Sequence, residues 1–398
     1  MEWRPTPDER AAHDVAFTRA AFAGATTIFV VFGTTTSLYG PLLLTFAHRF
    51  HVSLPTAGAV LSVHFLGALC GVPLAWAALQ RYPGNAVLAG ALATMALGAV
   101  GAALARGFEE FLASIVVIGL GFGGTDLSLN SLLVRASEAS RAHRLSVANA
   151  GYSIGSVVGP LLVIVSRPSH YPLIFAAVGL CALALTASTR GVGSPPAARA
   201  HPSPRHPQRR AVLGVFVAAY VLYVAAESAA AGWIAPQLQR VGYSQSTGAV
   251  ATAGFWLGLA VGRFLAGPVH RRVSDRRLVL VGLAVTAALA LAASVDGLAP
   301  AAYPLAGLSL ALVYPMGLMW FTNLNPGDGD GVAILILTMM AGGVIGPALT
   351  GAAVSVAGVR AVPVCVAAFA AADLAVFVIA RQFAAPPESN AGSADAPD

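Results

Sequence analysis

The sequence predicts an all-α integral membrane protein whose twelve transmembrane helices form two six-helix bundles related as parallel repeats. Three observations carry that prediction: the composition, the spacing of the apolar runs, and a correspondence between the two halves of the chain. Of 398 residues, 57% are hydrophobic and 10% charged, and the mean hydropathy is +0.74. Soluble domains carry roughly 25% charged and 45–50% apolar residues. So apolar a chain hides its surface in lipid, which excludes water-soluble enzymes, disordered proteins and nucleic-acid modules. The net charge of +6 comes from arginines, lysine being absent. They sit in short clusters between apolar runs rather than in a basic patch with interleaved aromatics, so no nucleic-acid partner is expected.

A spanning helix needs roughly 20 mostly apolar residues. Twelve runs qualify: 19–46, 56–79, 85–105, 110–136, 144–166, 171–190, 212–238, 246–270, 277–295, 300–323, 329–357 and 361–382. They are too long, and alternate too weakly, for barrel strands. With the N-terminus inside, seventeen arginines fall in inner segments. Only Arg49, Arg106, Arg167, Arg240 and Arg360 fall in outer loops, and Arg263 lies within a helix. The positive-inside rule therefore places both termini in the cytoplasm. Met1 to Arg19 lacks the apolar core and cleavage site of a signal peptide, so the first helix is expected to insert uncleaved.

The segment Gly191 to Arg210, GVGSPPAARAHPSPRHPQRR, is rich in proline and arginine and cannot pack a core. The expected organisation is a bundle over 1–190, a cytoplasmic linker over 191–211, a second bundle over 212–383 and a disordered tail over 384–398. At an offset of 191 residues, Ser53, Thr56, Gly67, Gly71 and Arg81 pair with Ser244, Thr247, Gly258, Gly262 and Arg272. A slightly different offset pairs Gly155, Gly159 and Pro160 with Gly342, Gly346 and Pro347. Two same-direction halves joined by a long linker match the parallel-repeat architecture of alternating-access carriers.

Two enzyme-like motifs fail on context. Gly119-Leu-Gly-Phe-Gly-Gly124 has the G-x-G-x-x-G spacing of a dinucleotide site, but it lies inside a helix with no strand before it. Close helix packing accounts for it. Gly151-Tyr-Ser153-Ile-Gly155 matches a nucleophile elbow, yet it too is helical, on the repeat Gly151, Gly155, Gly159. A membrane-embedded hydrolase using Ser153 with His64 as base is the remote alternative. Cys70, Cys181 and Cys365 lie in apolar runs without metal-type spacing, and are expected to be buried thiols. No cofactor or metal is implied.

A carboxylate within the bilayer costs at least roughly 2.5–3.5 kcal/mol on insertion scales, which makes each one a functional candidate. Of 17 acidic residues only Asp126, Glu227 and Asp373 fall away from the ends of the predicted helices. Asn130 lies one turn from Asp126 on the same face, and Tyr220 and Tyr223 share a face with Glu227. The fifth helix adds Asn149, Tyr152, Ser153 and Ser156. Burial favours the neutral form of a carboxyl group and so lets it take up and release a proton near neutral pH, which is what proton coupling requires. Asp126 and Glu227 are the candidate proton-coupling residues; Asp373 and His64 are weaker candidates. Arg263, with Asp275 and the arginines around it, suits a gate at the inner end of the eighth helix. Trp256 and Trp233 offer aromatic faces to a sugar ring, and asparagine side chains pair with hydroxyls.

These features together resemble the major facilitator superfamily over nearly the whole chain. Three stretches are similar to its fucose/galactose/gluconate proton symporter branch: Gly121-Phe-Gly-Gly-Thr-Asp126-Leu-Ser-Leu-Asn130, Tyr223-Val-Ala-Ala-Glu227 leading to Gly232-Trp233, and Phe255-Trp256-Leu-Gly258 leading to Gly262-Arg263. The resemblance implies that Asp126 is the proton-linked acid and Asn130 a substrate contact. Two departures stand out. The loop after the second helix, from Gly71 to Arg81, lacks the superfamily's aspartate. The first helix reads Thr34-Thr-Thr-Ser-Leu-Tyr39 where the fucose symporter carries an acid. The expectation is a proton-coupled, monomeric carrier of a small polar solute, a sugar, in a bacterial inner membrane. Asn130, Asn149, Tyr152, Tyr39, Trp233 and Trp256 are expected to bind that solute. A drug or metabolite efflux antiporter is the alternative, favoured by an apolar cavity lined by Met316, Met319, Phe321 and Met339.

Overall fold

The computed structural model describes residues 17–134, 138–192, 207–326 and 328–383. The described residues form helices and contain no β-strand. In chain order they are α1 (Arg19–Arg49), α2 (Leu54–Leu79), α3 (Gly84–Leu104), α4 (Phe108–Val134), α5 (Glu138–Ser166) and α6 (Tyr171–Leu185). The second half holds α7 (Pro207–Arg240), α8 (Gln245–His270), α9 (Asp275–Ala292), α10 (Ala299–Leu310), α11 (Val313–Leu324), α12 (Gly329–Ala357) and α13 (Ala361–Ala380). Among the described residues ten spans are long and apolar enough to cross a membrane, α10 and α11 counting as one. In α5 the described stretch Ala150–Ser166 is apolar. The first turn of α9 carries Asp275, Arg276 and Arg277. An isolated bridge between Phe17 and Val192 ties the start of α1 to the chain just beyond α6. That end of the molecule, where α1 begins and α13 finishes, is the terminal end; the opposite end is distal.

Three expectations need correction. The tenth span is two helices, not one over 300–323, and turns at Ala311 and Leu312. Pro315 explains the turn: it has no N–H, and its ring clashes with the carbonyl four residues back, that of Ala311. Helix α7 starts at Pro207, inside the stretch expected to be linker, while 193–206 and the expected tail at 384–398 lie outside the described residues. The cysteines are free, but Cys70 and Cys181 are exposed on the exterior rather than buried. A bilayer accepts an apolar thiol on that face as readily as a core does.

The repeat has a direct structural meaning. Ser53 and Ser244 cap α2 and α8, accepting from the Thr56 N–H at 3.2 Å and the Thr247 N–H at 3.1 Å. Gly67 and Gly71 of α2 seat against the Val116 and Leu120 carbonyls of α4, and Gly258 and Gly262 of α8 against the Pro304 and Leu308 carbonyls of α10. Gly155 and Gly159 of α5 meet the Val30 and Thr34 carbonyls of α1, while Gly342 and Gly346 of α12 meet those of Val221 and Ala225 in α7. A Cβ at any of these sites would strike backbone. Within lipid, helices associate through such close packing rather than through the hydrophobic effect, so small residues mark the contacts. Gly119 and Gly123 seat on the His64 and Ala68 carbonyls, which is the packing role expected of that motif.

The buried side chains form two clusters, one within α1–α6 and one within α7–α13. Trp233 of α7, Val354 of α12 and Val362 of α13 join the first cluster across the divide. Gly40 meets the Ala231 and Gly232 carbonyls, Gly58 the Trp233 ring and Gly343 the Phe65 ring. Ser62 Oγ donates to the Val344 carbonyl at 3.0 Å. These cross-bundle contacts lie between mid-helix level and the distal end.

Candidate functional site

Where the bundles face one another at mid-helix level, polar side chains gather. Glu227 sits near the middle of α7. Arg263 lies about one and a half turns from the middle of α8, towards the terminal end. Helical side chains tilt towards the N-terminus of their helix, and that of α8 is distal, so the guanidinium leans back to the level of Glu227. Its Nη2 lies 3.4 Å from Glu227 Oε2 and donates to Tyr223 Oη at 3.3 Å. Tyr223, one turn before Glu227, donates its hydroxyl to the same Oε2 at 2.5 Å. The side chains are 14% exposed for Glu227 and 33% for Arg263, so the pair borders open space. Arg263 Nε is buried without an acceptor.

On the facing bundle, Asp126 of α4 accepts from Asn130 Nδ2 at 3.0 Å, and the same amide bonds the Asp126 carbonyl. Asn130 is therefore engaged by its own neighbour. Tyr152 of α5 shares a hydrogen bond of 3.3 Å with Thr36 of α1 and meets the edge of Trp256 across the interface, with ring centroids 6.2 Å apart. It lies within electrostatic range of Asp126, Glu227 and Arg263 at once. Tyr314, just past the turn in the tenth span, stacks on Tyr223 at 6.3 Å and is also in range of those three charges. Its carbonyl accepts from Tyr220 Oη at 2.8 Å.

Asp126, Tyr152, Glu227, Trp256 and Arg263 are thus brought together, and Asn130 joins through Asp126. Other expected residues lie elsewhere. Tyr39 is buried in the N-terminal bundle, bonded to His64 Nδ1 at 3.0 Å. Trp233 is fully buried as a wedge against Gly58. Asp275 does not meet Arg263; it accepts from the Arg276 backbone N–H at 2.7 Å and from Asn323 Nδ2 at 3.3 Å at the terminal end. The Asn149 side chain lies outside the described residues. Asp373 is fully buried in α13 with neither carboxyl oxygen bonded. Thr36 and Tyr314 complete the cluster without a signal along the chain that sets them apart from other hydroxyl-bearing residues, and the spacing of Glu227 and Arg263 does not reveal their pairing.

Two repeat-related helical bundles with charged groups at their mid-level interface define a membrane carrier. The Major Facilitator Superfamily profile matches residues 25–226, over half the chain, and the protein belongs to that family. It is a multi-pass membrane transporter, and the hydrolase alternative falls with that assignment. Solved transporters share the fold. A bacterial homologue of the human lysosomal transporter Spinster, inward-facing and unoccupied, is similar with a TM-score of 0.72 at 18% identity, covering 95% of this chain and 98% of its own. The peptide transporter POT in complex with sulfate gives 0.77 at 14%, covering 95% and 98%. The E. coli fucose:proton symporter FucP gives 0.63 at 18%, covering 92% and 98%. No curated protein sequence matches the chain significantly.

Proposed function

We propose that the protein is a proton-coupled symporter of a small polar organic solute of the sugar class, working by alternating access between its two bundles. The observation that carries this reading is a pair of mid-helix carboxyl groups, Asp126 and Glu227, on facing bundles around Tyr152. Acids at this depth persist where they carry protons or bind substrate. A carrier that closes only when both sites are filled, or both empty, couples the two movements. Asp126 and Glu227 are the coupling residues of this reading, and Tyr152 and Trp256 its substrate contacts. Similarity to fucose:proton and D-xylose:proton symporters supports it. Arginine placement supports cytoplasmic termini and a bacterial inner-membrane location. The cross-bundle contacts lie towards the distal half, which on that topology makes this an inward-facing conformation.

The efflux reading has less support. Met316 and Phe321 are buried in the core of the C-terminal bundle, where they are not free to line an open cavity. The test is a thermal-shift screen of the purified protein against sugars and sugar acids, since ligands stabilise the state that they bind. Stabilising compounds are then offered to proteoliposomes under an imposed pH gradient. Accumulation above equilibrium that a protonophore abolishes is expected. Equilibration only, with no response to the gradient, would contradict proton coupling.

A further inference from the structure

We propose that the transported solute carries a carboxylate, and that Arg263 receives it in exchange for Glu227. This rests on the proton-symport reading above and names the substrate class of the same site. Three facts lead to it. Arg263 keeps 33% of its side chain exposed, although it lies well within a membrane helix. Its bonds to Glu227 and Tyr223 both run through Nη2 and are long, at 3.4 Å and 3.3 Å, while Nε has no acceptor. A guanidinium offers five N–H donors in a fork that matches the two oxygens of a carboxylate. Two acceptors sharing a single nitrogen leave that fork largely unfilled.

The exchange follows from charge. Asp126 and Glu227 are acids and Arg263 is a permanent cation. An anion entering this low-dielectric site beside two carboxylates would be repelled. When Glu227 takes a proton from the open side, its bond to Arg263 gives way and the guanidinium becomes free to bind the incoming carboxylate bidentately. One proton and one carboxylate enter together, and the net charge of the site does not change. On release of the solute, Glu227 loses its proton to the other side and reclaims Arg263. Tyr223 keeps Glu227 oriented in both states. The remaining groups around Glu227 fit this assignment. Tyr152 and Asp126 face the pair across the gap, and Tyr314 stacks on Tyr223 beside it. Tyr39 of α1 and His64 of α2 are bonded to each other, Tyr303 of α10 is bonded to Gln237, and Asp373 of α13 lies towards Tyr220. The acid of α12, Asp330, sits in its first turn.

The phenol hydroxyls beside the pair, those of Tyr152 and Tyr314, favour a hydroxycarboxylate over a plain fatty acid. Binding of D-gluconate and D-lactate to the purified protein, compared with neutral D-glucose and D-sorbitol, tests the assignment by calorimetry between pH 5.5 and 8. One of the acids should bind, more weakly as pH rises, and the neutral compounds should bind at least about tenfold more weakly. Arg263→Gln should weaken acid binding by about 10- to 100-fold. Glu227→Gln, with Arg263 permanently released, should bind the acid more tightly and lose the pH dependence. Should Arg263→Gln fail to fold, the Glu227→Gln profile and the double variant E227Q/R263Q, which leaves no unpaired charge, decide the matter. Binding of a neutral sugar as tight as that of the acids, a Glu227→Gln profile identical to that of the parent, or no binding of any of the four would overturn the proposal. A neutral sugar that binds and is accumulated by a pH gradient would leave proton symport standing. An acid that binds through Arg263 but is not accumulated would remove the symport reading instead.

Discussion

In the N-terminal half, Gly155 and Gly159 rest on the Val30 and Thr34 carbonyls; in the C-terminal half, Gly342 and Gly346 rest on those of Val221 and Ala225. The receiving residues differ by 191 positions in both cases. The carbonyls that receive Gly67 and Gly71, and those that receive Gly258 and Gly262, differ by 188. These offsets align the two halves helix by helix, and the site can be read through them. Glu227 corresponds to Thr36, Arg263 to Val72 and Tyr223 to Phe32, whereas Asp126 corresponds to Tyr314. All four positions of the two central pairs, Asp126 with Tyr314 and Thr36 with Glu227, contribute to the polar cluster. Packing is duplicated and chemistry is not. The N-terminal half holds a carboxyl group bonded within its own helix, and the C-terminal half holds an ion pair between two helices.

The strongest way to break that comparison is through the shared packing. Gly155→Val and Gly342→Val should each destabilise by about 3 kcal/mol or more, because the added side chain meets backbone that cannot move aside. Thermal melts in detergent should show matching losses. Tolerance at one site and collapse at the other would dissolve the equivalence of the halves. A smaller effect is expected where they differ. Arg263→Gln strips Glu227 of its cation; a fully buried broken pair costs roughly 3–5 kcal/mol, and partial exposure reduces this to about 1–3 kcal/mol. Adding Glu227→Gln should restore most of the loss, and a double variant less stable than the single one would argue against the pair. The smallest effect belongs to the counterpart of Glu227. Thr36→Val removes one hydrogen bond to Tyr152 and should cost about 1 kcal/mol, with transport retained. A loss of transport as severe as that of a charged-residue variant would place Thr36 on the proton or substrate path.

Much of the fold was legible because its signals are local. Apolar run length sets the spans, serine and threonine mark the starts of α2 and α8, and glycines at helical spacing mark the crossings. The turn at Ala311 and Leu312 was legible too, in Pro315, but was masked by the uninterrupted apolar run around it. Of the site, the two acids stood out because charge is rare in the bilayer. Their partners did not. The Glu227–Arg263 contact joins residues 36 positions apart on neighbouring helices, and depends on side-chain tilt that charge counting along the chain ignores. Tyr39 illustrates the converse: it belongs to a polar stretch of α1, yet its ring points into the bundle towards His64.

The central claim is that a mid-membrane acid of the N-terminal half couples solute movement to protons. Transport in proteoliposomes by the parent protein and by Asp126→Asn, assayed as uptake against a gradient and as counterflow exchange, tests it most directly. The expected result is loss of uphill, pH-driven accumulation in Asp126→Asn while counterflow remains measurable. Undiminished uphill accumulation by that variant would contradict the account.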